Sequence, residues 1–301
     1  MSLITALPGA AAQGLIWGIM AIGVYITFRI LDIADLTVDG TLCTGGAVCI
    51  MMMLSGHNVW VSMLVATGAG LLAGLATGIF HTFMGIPAIL AGILTQLSLY
   101  SINLKIMGKA NQAINVDKFN LLVSLRRVKG VALTQNTLFI VAIMIIILIA
   151  VLYWFFGTEL GCSLRATGCN PSMSRAQGIN TDRNKVLGLM LSNGLVALSG
   201  ALLTQYQGFA DINMGRGAIV IGLAAVIIGE AIFSRIFRNF ALKLLSVVFG
   251  SILYYLVLQI VIWMGIDTDL LKMLSALVVA FFLAFPYWKG KYFTKAKQGG
   301  K

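Results

Sequence analysis

Long apolar runs set the first limit on what this chain can fold into. A helix needs about 20 mostly apolar residues to cross a bilayer, and nine runs of roughly that kind follow one another along the 301 residues. They lie at roughly 11–28, 36–55, 59–80, 86–107, 137–157, 186–209, 216–234, 241–263 and 270–287. Only 10% of the residues are charged, against about 25% in soluble domains, so the chain cannot cover its surface for water. The sequence therefore predicts a polytopic membrane protein.

The runs are predicted to be helices, because they lack the strict alternation of membrane barrels and lipid requires every backbone group to be paired. The second run opens with acids and glycines: Asp32, Asp35, Asp39, Gly40, Gly45 and Gly46. Such a start is typical of a broken or re-entrant helix, which is tolerated where backbone is buried or lines a cavity. We expect an all-α fold with eight to ten spanning helices, the second of them broken.

Charged residues between the runs predict which side each loop faces. Basic residues mark the cytoplasmic side, and the loop 161–185 holds four of them against one acid, Asp182: Arg165, Arg175, Arg183 and Lys185. Counting the crossings that follow places Asp211 and Arg216 outside and Arg235 and Arg238 inside. It then places Asp267 and Asp269 outside and the lysine-rich tail 288–301 inside. Counting backward places 108–136 outside despite Lys109, Lys118, Arg126, Arg127 and Lys129. The side of the amino terminus stays open.

The remaining composition predicts one membrane domain over 1–301, because the largest pieces between runs, 108–136 and 158–185, are too short to fold alone. Residues 1–28 carry no charge, which favours a retained anchor over a cleaved signal peptide. The four cysteines are expected to be free thiols, since His57 and His81 lie near none of them at zinc-like spacing. The net charge of +11 is spread beside apolar runs, which suits a lipid surface and argues against nucleic acid.

The loop 158–185 contains a short helix with clear start and stop signals. Asn170 is a good N-cap, Pro171 suits the first helical position, and Gly178 supplies a left-handed stop. The segment between them is polar enough to lie outside the bilayer, and Arg165 and Arg175 flank it. Met173 and Ala176, three residues apart, would share one face. Such a helix is typical of a docking element for a partner.

The same loop resembles the cytoplasmic coupling loop of permeases in branched-chain amino-acid type ABC transporters. The residues that carry the resemblance are Leu164–Gly168, Asn170, Pro171 and Ala176–Asn180, followed by Gly194, Ser199–Leu202, Gly208 and the glycine-rich 215–229. The opening, Ala21–Tyr25 and Phe28–Asp32 with Asp35–Gly40, is similar to a branch associated with tryptophan and related amino acids. One departure is Glu230, where many relatives carry glycine.

The resemblance implies a permease subunit of an ATP-driven importer in the bacterial cytoplasmic membrane, not an enzyme. Its partners would be a second copy, two cytoplasmic ATPase subunits and an external binding lipoprotein or periplasmic protein. ATP and magnesium would bind the ATPase subunits, since no G-x-x-x-x-G-K-[ST] occurs in these 301 residues; no cofactor is expected in this chain. The expected ATPase-coupling residues are Arg165, Asn170, Pro171, Ser172, Met173, Arg175, Gln177 and Gly178.

Polar residues within the runs are candidates for the translocation path, because such groups are costly in lipid. They are Asp39, Thr41, Gln96, Tyr100, Asn103, Ser192, Asn193 and Glu230. Gln96, Tyr100 and Asn103 share one helical face. Each has a structural alternative: Asp39 and Thr41 could cap the broken helix, Glu230 could pair with a neighbour, and the neutral residues could bond between helices. Arg29 with Asp32 is expected to form an ion pair at the interface.

Two further choices remain open from the residues. Gly70, Gly74 and Gly78 predict a close helix contact, either within one subunit or across a dimer. An ion-gradient transporter with Asp39 or Glu230 as its carboxylate is the alternative function. A membrane-embedded enzyme is disfavoured, because the sequence has no clustered His, Asp and Glu set.

Overall fold

A computed structural model describes residues 3–116, 119, 121–128, 136–233, 237 and 239–265, with scattered positions from 270 to 284. Its helices are α1 (Leu3–Tyr25), α2 (Thr37–Leu54), α3 (Val59–Thr82), α4 (Ala88–Met107), α5 (Thr137–Gly157), α6 (Glu159–Cys169), α7 (Pro171–Ala176), α8 (Thr181–Gln207), α9 (Ala218–Phe233) and α10 (Phe240–Trp263). A π-helical turn, Ile26–Ile30, continues α1, and a 3-10 turn covers Leu125–Val128. Two short strands are β1 (Asn111–Ala113) and β2 (Phe209–Asp211).

The all-α membrane fold is confirmed. Within the described residues, seven helices are long and apolar enough to cross a bilayer: α1 with its π turn, α2, α3, α4, α5, α8 and α10. The eighth apolar helix, α9, has 16 residues and is shorter than a full span. The predicted run 270–287, the tail 288–301 and Arg235, Arg238, Asp267 and Asp269 fall outside the continuously described stretches.

Helix α8 is the centre of the bundle, and α1, α2 and α3 pack around it. Gly70, Gly74 and Gly78 of α3 face α8 so closely that a Cβ at Gly74 would strike the carbonyl oxygen of Leu189. The glycine ladder is therefore a contact within one chain. On the other side of α1, helices α9 and α10 complete the bundle.

The two ends of the bundle differ. At one end β1, which follows α4, pairs antiparallel with β2, which follows α8, so that Asn111 lies opposite Asp211. At the other end α5 leads through α6 and α7 into the start of α8. We call this second end the α7 side. The placement of residues 111–113 on the side opposite the loop 161–185 agrees with the count of crossings, despite the basic residues that follow.

The second run was predicted to be a broken or re-entrant helix; helix α2 is continuous over Thr37–Leu54, and the non-helical segment lies before it, between α1 and α2. Residues 31–36 are not helical, and Asp32 has a left-handed φ of 55°. The carboxylate of Asp35 accepts a hydrogen bond from Asn193, which lies about 18 Å along α8 from its first residue. The connection thus turns back into the bundle, and α2 begins beside the middle of α8.

Candidate functional site

A cavity of about 330 Å³ lies between α2, α4 and the segment that precedes α9. Four of the predicted path residues line it together: Asp39, Gln96, Tyr100 and Asn103. Its other lining residues are Gly40, Cys43, Leu97, Ile212 and Arg216. Sequence reasoning identified the face of α4 but missed Arg216, which comes from a turn far along the chain and carried no local signal.

Asp39 connects the cavity to the start of α9. Its two carboxylate oxygens each accept a backbone N–H, one from Gly217 and one from Ile219, both at 2.9 Å. Free N–H groups and the helix dipole at an N-terminus favour a negative charge at that position. Asp39 therefore caps a helix, as one alternative proposed, but the helix is α9 and not its own α2.

Asn103 brings an unsatisfied polar atom to this cavity. Its side chain is almost fully buried, and its Nδ2 donates to the carbonyl oxygen of Gly40 at 3.4 Å. Its Oδ1 has no hydrogen-bond partner among the residues that the structure describes. A buried acceptor without a partner is costly, and this one lies beneath the cavity wall that Asn103 helps to form. Gln96 is half-buried and Tyr100 is exposed.

Three other predicted path residues lie behind the cavity and bond between helices. Asn193 donates to Asp35 at 2.7 Å and accepts from the Thr41 hydroxyl at 2.8 Å. Ser192 donates to the carbonyl oxygen of Gly23 on α1 at 2.8 Å. All three are fully buried, as is Asp35. Ser192 and Asn193 therefore form hydrogen bonds between helices, as their structural alternative predicted. Thr41, whose alternative was a cap on the broken helix, instead bonds to Asn193 of α8.

Asp35 was not among the predicted site residues, although it belongs to the acidic cluster that marked the break. It accepts the backbone N–H of Thr37 at 2.9 Å and so satisfies the start of α2. Burial raises the pKa of this carboxyl above its ordinary value, and hydrogen bonds from Thr37 and Asn193 act in the opposite direction. Asp35 and not Asp39 is the acid that stabilises the start of α2.

Glu230 lies away from this cavity, on the α7 side. Its Oε1 accepts from the Nε of Arg29 at 2.9 Å. The expected pair between Arg29 and Asp32 is therefore wrong: Asp32 is exposed in a left-handed turn, and Arg29 reaches α9 instead. Glu230 therefore pairs with another residue of the chain, as its structural alternative predicted.

The α7 segment has the predicted caps. Asn170 accepts the backbone N–H of Met173 at 3.0 Å, Pro171 opens the helix, and Gly178 has a φ of 81°. Met173 is 62% exposed, and Ala176, Ser172 and Gln177 are exposed beside it. Arg175 holds the segment to α8 by donating to the hydroxyl of Thr181 at 2.8 Å. The result is a rigid, outward-facing turn.

An amphipathic helix, α6, leads into this turn and was not anticipated as a helix. Gly168 of α6 packs so closely on the carbonyl oxygen of Ile30 that no side chain would fit there. Asn184 of α8 donates to Thr167 at 2.9 Å and fixes the other face of α6. Arg165 lies in α6 over the ring of Phe240, 5.9 Å from its centroid, rather than beside the α7 residues.

No group of His, Cys, Asp and Glu in the described part of the chain could hold a metal ion. The four cysteines are free; Cys43 and Cys49 are buried, and Cys162 and Cys169 are exposed.

Residues 7–283 match the family described as the permease component of branched-chain amino acid transport systems. A tyrosine transport system permease protein of Clostridioides difficile is 39% identical over 272 residues, which cover 90% of this chain and 88% of that protein. An uncharacterized protein of Rickettsia prowazekii is 38% identical over 281 residues, covering 92% and 95%. A fructose import permease protein of Bifidobacterium longum is 25% identical over 246 residues, covering 81% and 67%. No solved structure matches the chain.

Proposed function

Because the chain belongs to the family of permease components of branched-chain amino acid transport systems, we propose that it carries an aromatic amino acid across the membrane for an ATP-driven importer. The chain is a multi-pass protein of the cytoplasmic membrane and acts as the transport subunit. Two copies would pair, two ATPase subunits would bind on the cytoplasmic side, and an external binding protein would deliver the substrate. ATP and magnesium would be held by the ATPase subunits.

The exposed α7 turn is the observation that carries this proposal. A helix of six residues does not persist alone in water, yet α7 is capped at both ends and tied to α6 and α8. It presents Met173 outward at one end of the bundle. A rigid apolar contact of this kind suits a groove on a partner subunit. Motion of that partner would reach the bundle through α6.

The cavity beside Asp39 supports an amino acid as the substrate. A zwitterion needs an acceptor for its ammonium group and a cation for its carboxylate. Asp39 supplies the first, and Arg216 supplies the second. Tyr100 and Leu97 offer apolar surface for a ring. The similarity to a tyrosine transport permease favours an aromatic side chain.

The decisive experiment replaces Met173 with glutamate and measures ATP-driven uptake of labelled tyrosine in proteoliposomes that contain the full transporter. We expect ATPase activity to lose its dependence on substrate and uptake to fall at least tenfold. Loss of apolar contact and an added charge weaken the docked surface by roughly 2 kcal/mol, which is more than a factor of ten. Membrane insertion should be unchanged, because the residue is exposed.

Met84→Glu is the matched control, because Met84 is also exposed and lies just beyond α3, which ends on the α7 side. It should leave coupling intact. Full coupling in the Met173 variant would contradict the docking role. Uptake by the chain without ATPase subunits, driven by a proton or sodium gradient, would favour an ion-gradient transporter instead.

A further inference from the structure

Three cations gather around one acid on the α7 side of the bundle. Arg29 follows α1, Arg165 lies in α6 and Lys243 lies in the first turn of α10, and all three line a cavity of about 430 Å³ with Glu230. Their segments are far apart in sequence, so the fold and not local composition brings them together. The cluster carries a net charge of +2.

The single acid leaves much of this positive charge uncompensated. Arg29 uses only its Nε for the contact with Glu230, and a guanidinium has five N–H donors. Arg165 has an aromatic ring and the sulfur of Cys162 as neighbours rather than a carboxylate. Lys243 is exposed and has no acidic partner within ion-pair distance in the described residues. The cavity therefore fits an anion.

The surroundings place this cluster where lipid headgroups lie. A neighbouring cavity of about 570 Å³ shares Arg165 and Phe240 with the first and is also lined by Tyr153 and Trp154. These two aromatic residues stand near the end of α5 and are 56% and 71% exposed. Exposed Trp and Tyr at the end of a spanning helix mark the boundary between hydrocarbon and headgroups. The cations thus sit at the bilayer surface beside an open aromatic groove.

We propose that this cluster binds the headgroup phosphate of an anionic phospholipid. Arg29, Arg165 and Lys243 hold the phosphate oxygens, and the groove beside Trp154 and Phe240 takes the start of the acyl chains. Basic pockets between spanning helices are suited to such headgroups. The apolar wall distinguishes a lipid from a free anion, since a free phosphate would have no use for it. Bound lipid would contact α1, α6 and α10 at once.

Glu230 provides a test in which removal of a side-chain charge should strengthen lipid binding rather than weaken it. A carboxylate beside a phosphate repels it, so Glu230→Gln should strengthen lipid binding by about fivefold, the effect of one unit charge near an interface. Lys243→Gln should weaken it by about the same factor. A purely structural role of the Arg29–Glu230 pair predicts weaker binding in both variants, because both disturb the cluster.

The measurement is native mass spectrometry of the full-length protein in detergent, titrated with phosphatidylglycerol or phosphatidylcholine. We expect phosphatidylglycerol to be retained and phosphatidylcholine to be lost at the same concentration. Arg183→Gln is the control, since Arg183 is an exposed cation on the α7 side that does not line the cavity. It should bind phosphatidylglycerol as the unmodified protein does.

Besides weaker binding in Glu230→Gln, three further results would overturn the proposal. Equal retention of the two lipids would show that charge is not recognised. Equal losses in Lys243→Gln and Arg183→Gln would show a diffuse surface effect. Displacement of phosphatidylglycerol by inorganic phosphate at comparable concentration would assign the cavity to a free anion. Each of these outcomes is independent of whether the chain imports an amino acid.

Discussion

At the scale of single residues, two carboxylates hold the ends of different helices. Asp35 satisfies the start of α2, and Asp39, four residues later, caps α9 across the bundle. Glu230 near the other end of α9 accepts from Arg29. Helix α9 is shorter than a full membrane span. It is fixed at both ends by contacts to the segment 29–39.

The cap on α9 predicts a specific loss of stability in Asp39→Asn. An amide keeps one acceptor oxygen but presents an N–H₂ group to the second backbone donor, and it removes the charge. We expect the free energy of unfolding to fall by about 1–2 kcal/mol, the usual cost of losing a helix cap or a charged hydrogen bond. Thermal unfolding in a fixed detergent measures it. Asp32→Asn is the control, because Asp32 is exposed and asparagine tolerates its left-handed φ; an equal loss there would refute the capping argument.

The buried network at Asn193 predicts a larger effect. Asn193→Ala leaves one carboxylate oxygen of Asp35 without its partner, away from water. It also removes the bond from the Thr41 hydroxyl, which keeps only its contact with the carbonyl oxygen of Thr37. We expect the free energy of unfolding to fall by about 3 kcal/mol, because a buried polar group left without a partner costs more than one hydrogen bond contributes to stability. Ser192→Ala removes one bond to Gly23 and should cost about 1 kcal/mol. Denaturant unfolding of both variants checks the difference, and similar losses would show that the network does not matter.

At the scale of elements, sequence patterns predicted what depends on neighbours along the chain. The caps at Asn170 and Gly178 defined α7, and the acids and glycines of 32–46 marked the break, because both signals are local. The partners were not predictable. Arg29 lies 201 residues from Glu230, and Asp39 lies 178 residues from Gly217. No pattern within either segment specifies a partner at such distance, so the nearest acid, Asp32, was wrongly paired with Arg29.

The elements that were not predicted carry no local sequence signal. Helix α6 has a polar face and a mixed composition, so the loop 158–185 gave no apolar run to mark it. Strands β1 and β2 have three residues each and pair only with each other, which is too short a stretch to show a strand pattern in the sequence. Part of the cavity lining was predictable, because Gln96, Tyr100 and Asn103 share one helical face. Arg216 was not, because only the tertiary fold brings it to the cavity.

The contact between α3 and α8 predicts opposite effects for two glycines of one helix. A Cβ at Gly74 would strike the backbone of Leu189, whereas a Cβ at Gly68 meets nothing within 4 Å. Gly74→Ala should therefore destabilise the protein by about 2 kcal/mol through forced separation of the helices. Gly68→Ala should stabilise it by about 0.5–1 kcal/mol, the gain in helix propensity. Unfolding midpoints of the two variants provide the test, and a tolerated alanine at Gly74 would argue that this interface is loose.

At the scale of the whole molecule, a continuous series of contacts joins the α7 turn to the cavity. Gly168 of α6 packs on Ile30, the segment that follows Ile30 bonds through Asp35 to the middle of α8, and Asp39 reaches the start of α9 at the cavity wall. The helices make close backbone contacts, and the non-helical segment 31–36 is tied to α2 and α8 through Asp35, so a displacement of α7 is passed on along these contacts. We expect a push on α7 to move the segment 29–39 and with it the cavity.

A cytoplasmic ATPase can reach α7 only if the α7 side faces the cytoplasm, and the native cysteines allow this orientation to be measured. In a Cys162→Ser background Cys169 is an exposed thiol on the α7 side, while Cys43 and Cys49 are buried. A membrane-impermeant maleimide added to intact cells should leave Cys169 unlabelled and should label it in inverted vesicles. Asn213→Cys, placed in a chain with Ser at 162 and 169, should behave in the opposite way, because Asn213 is exposed just after β2 at the other end of the bundle. If the maleimide labels Cys169 in intact cells and does not label the thiol of Asn213→Cys, the turn at Pro171 faces outward and a cytoplasmic ATPase could not bind to it.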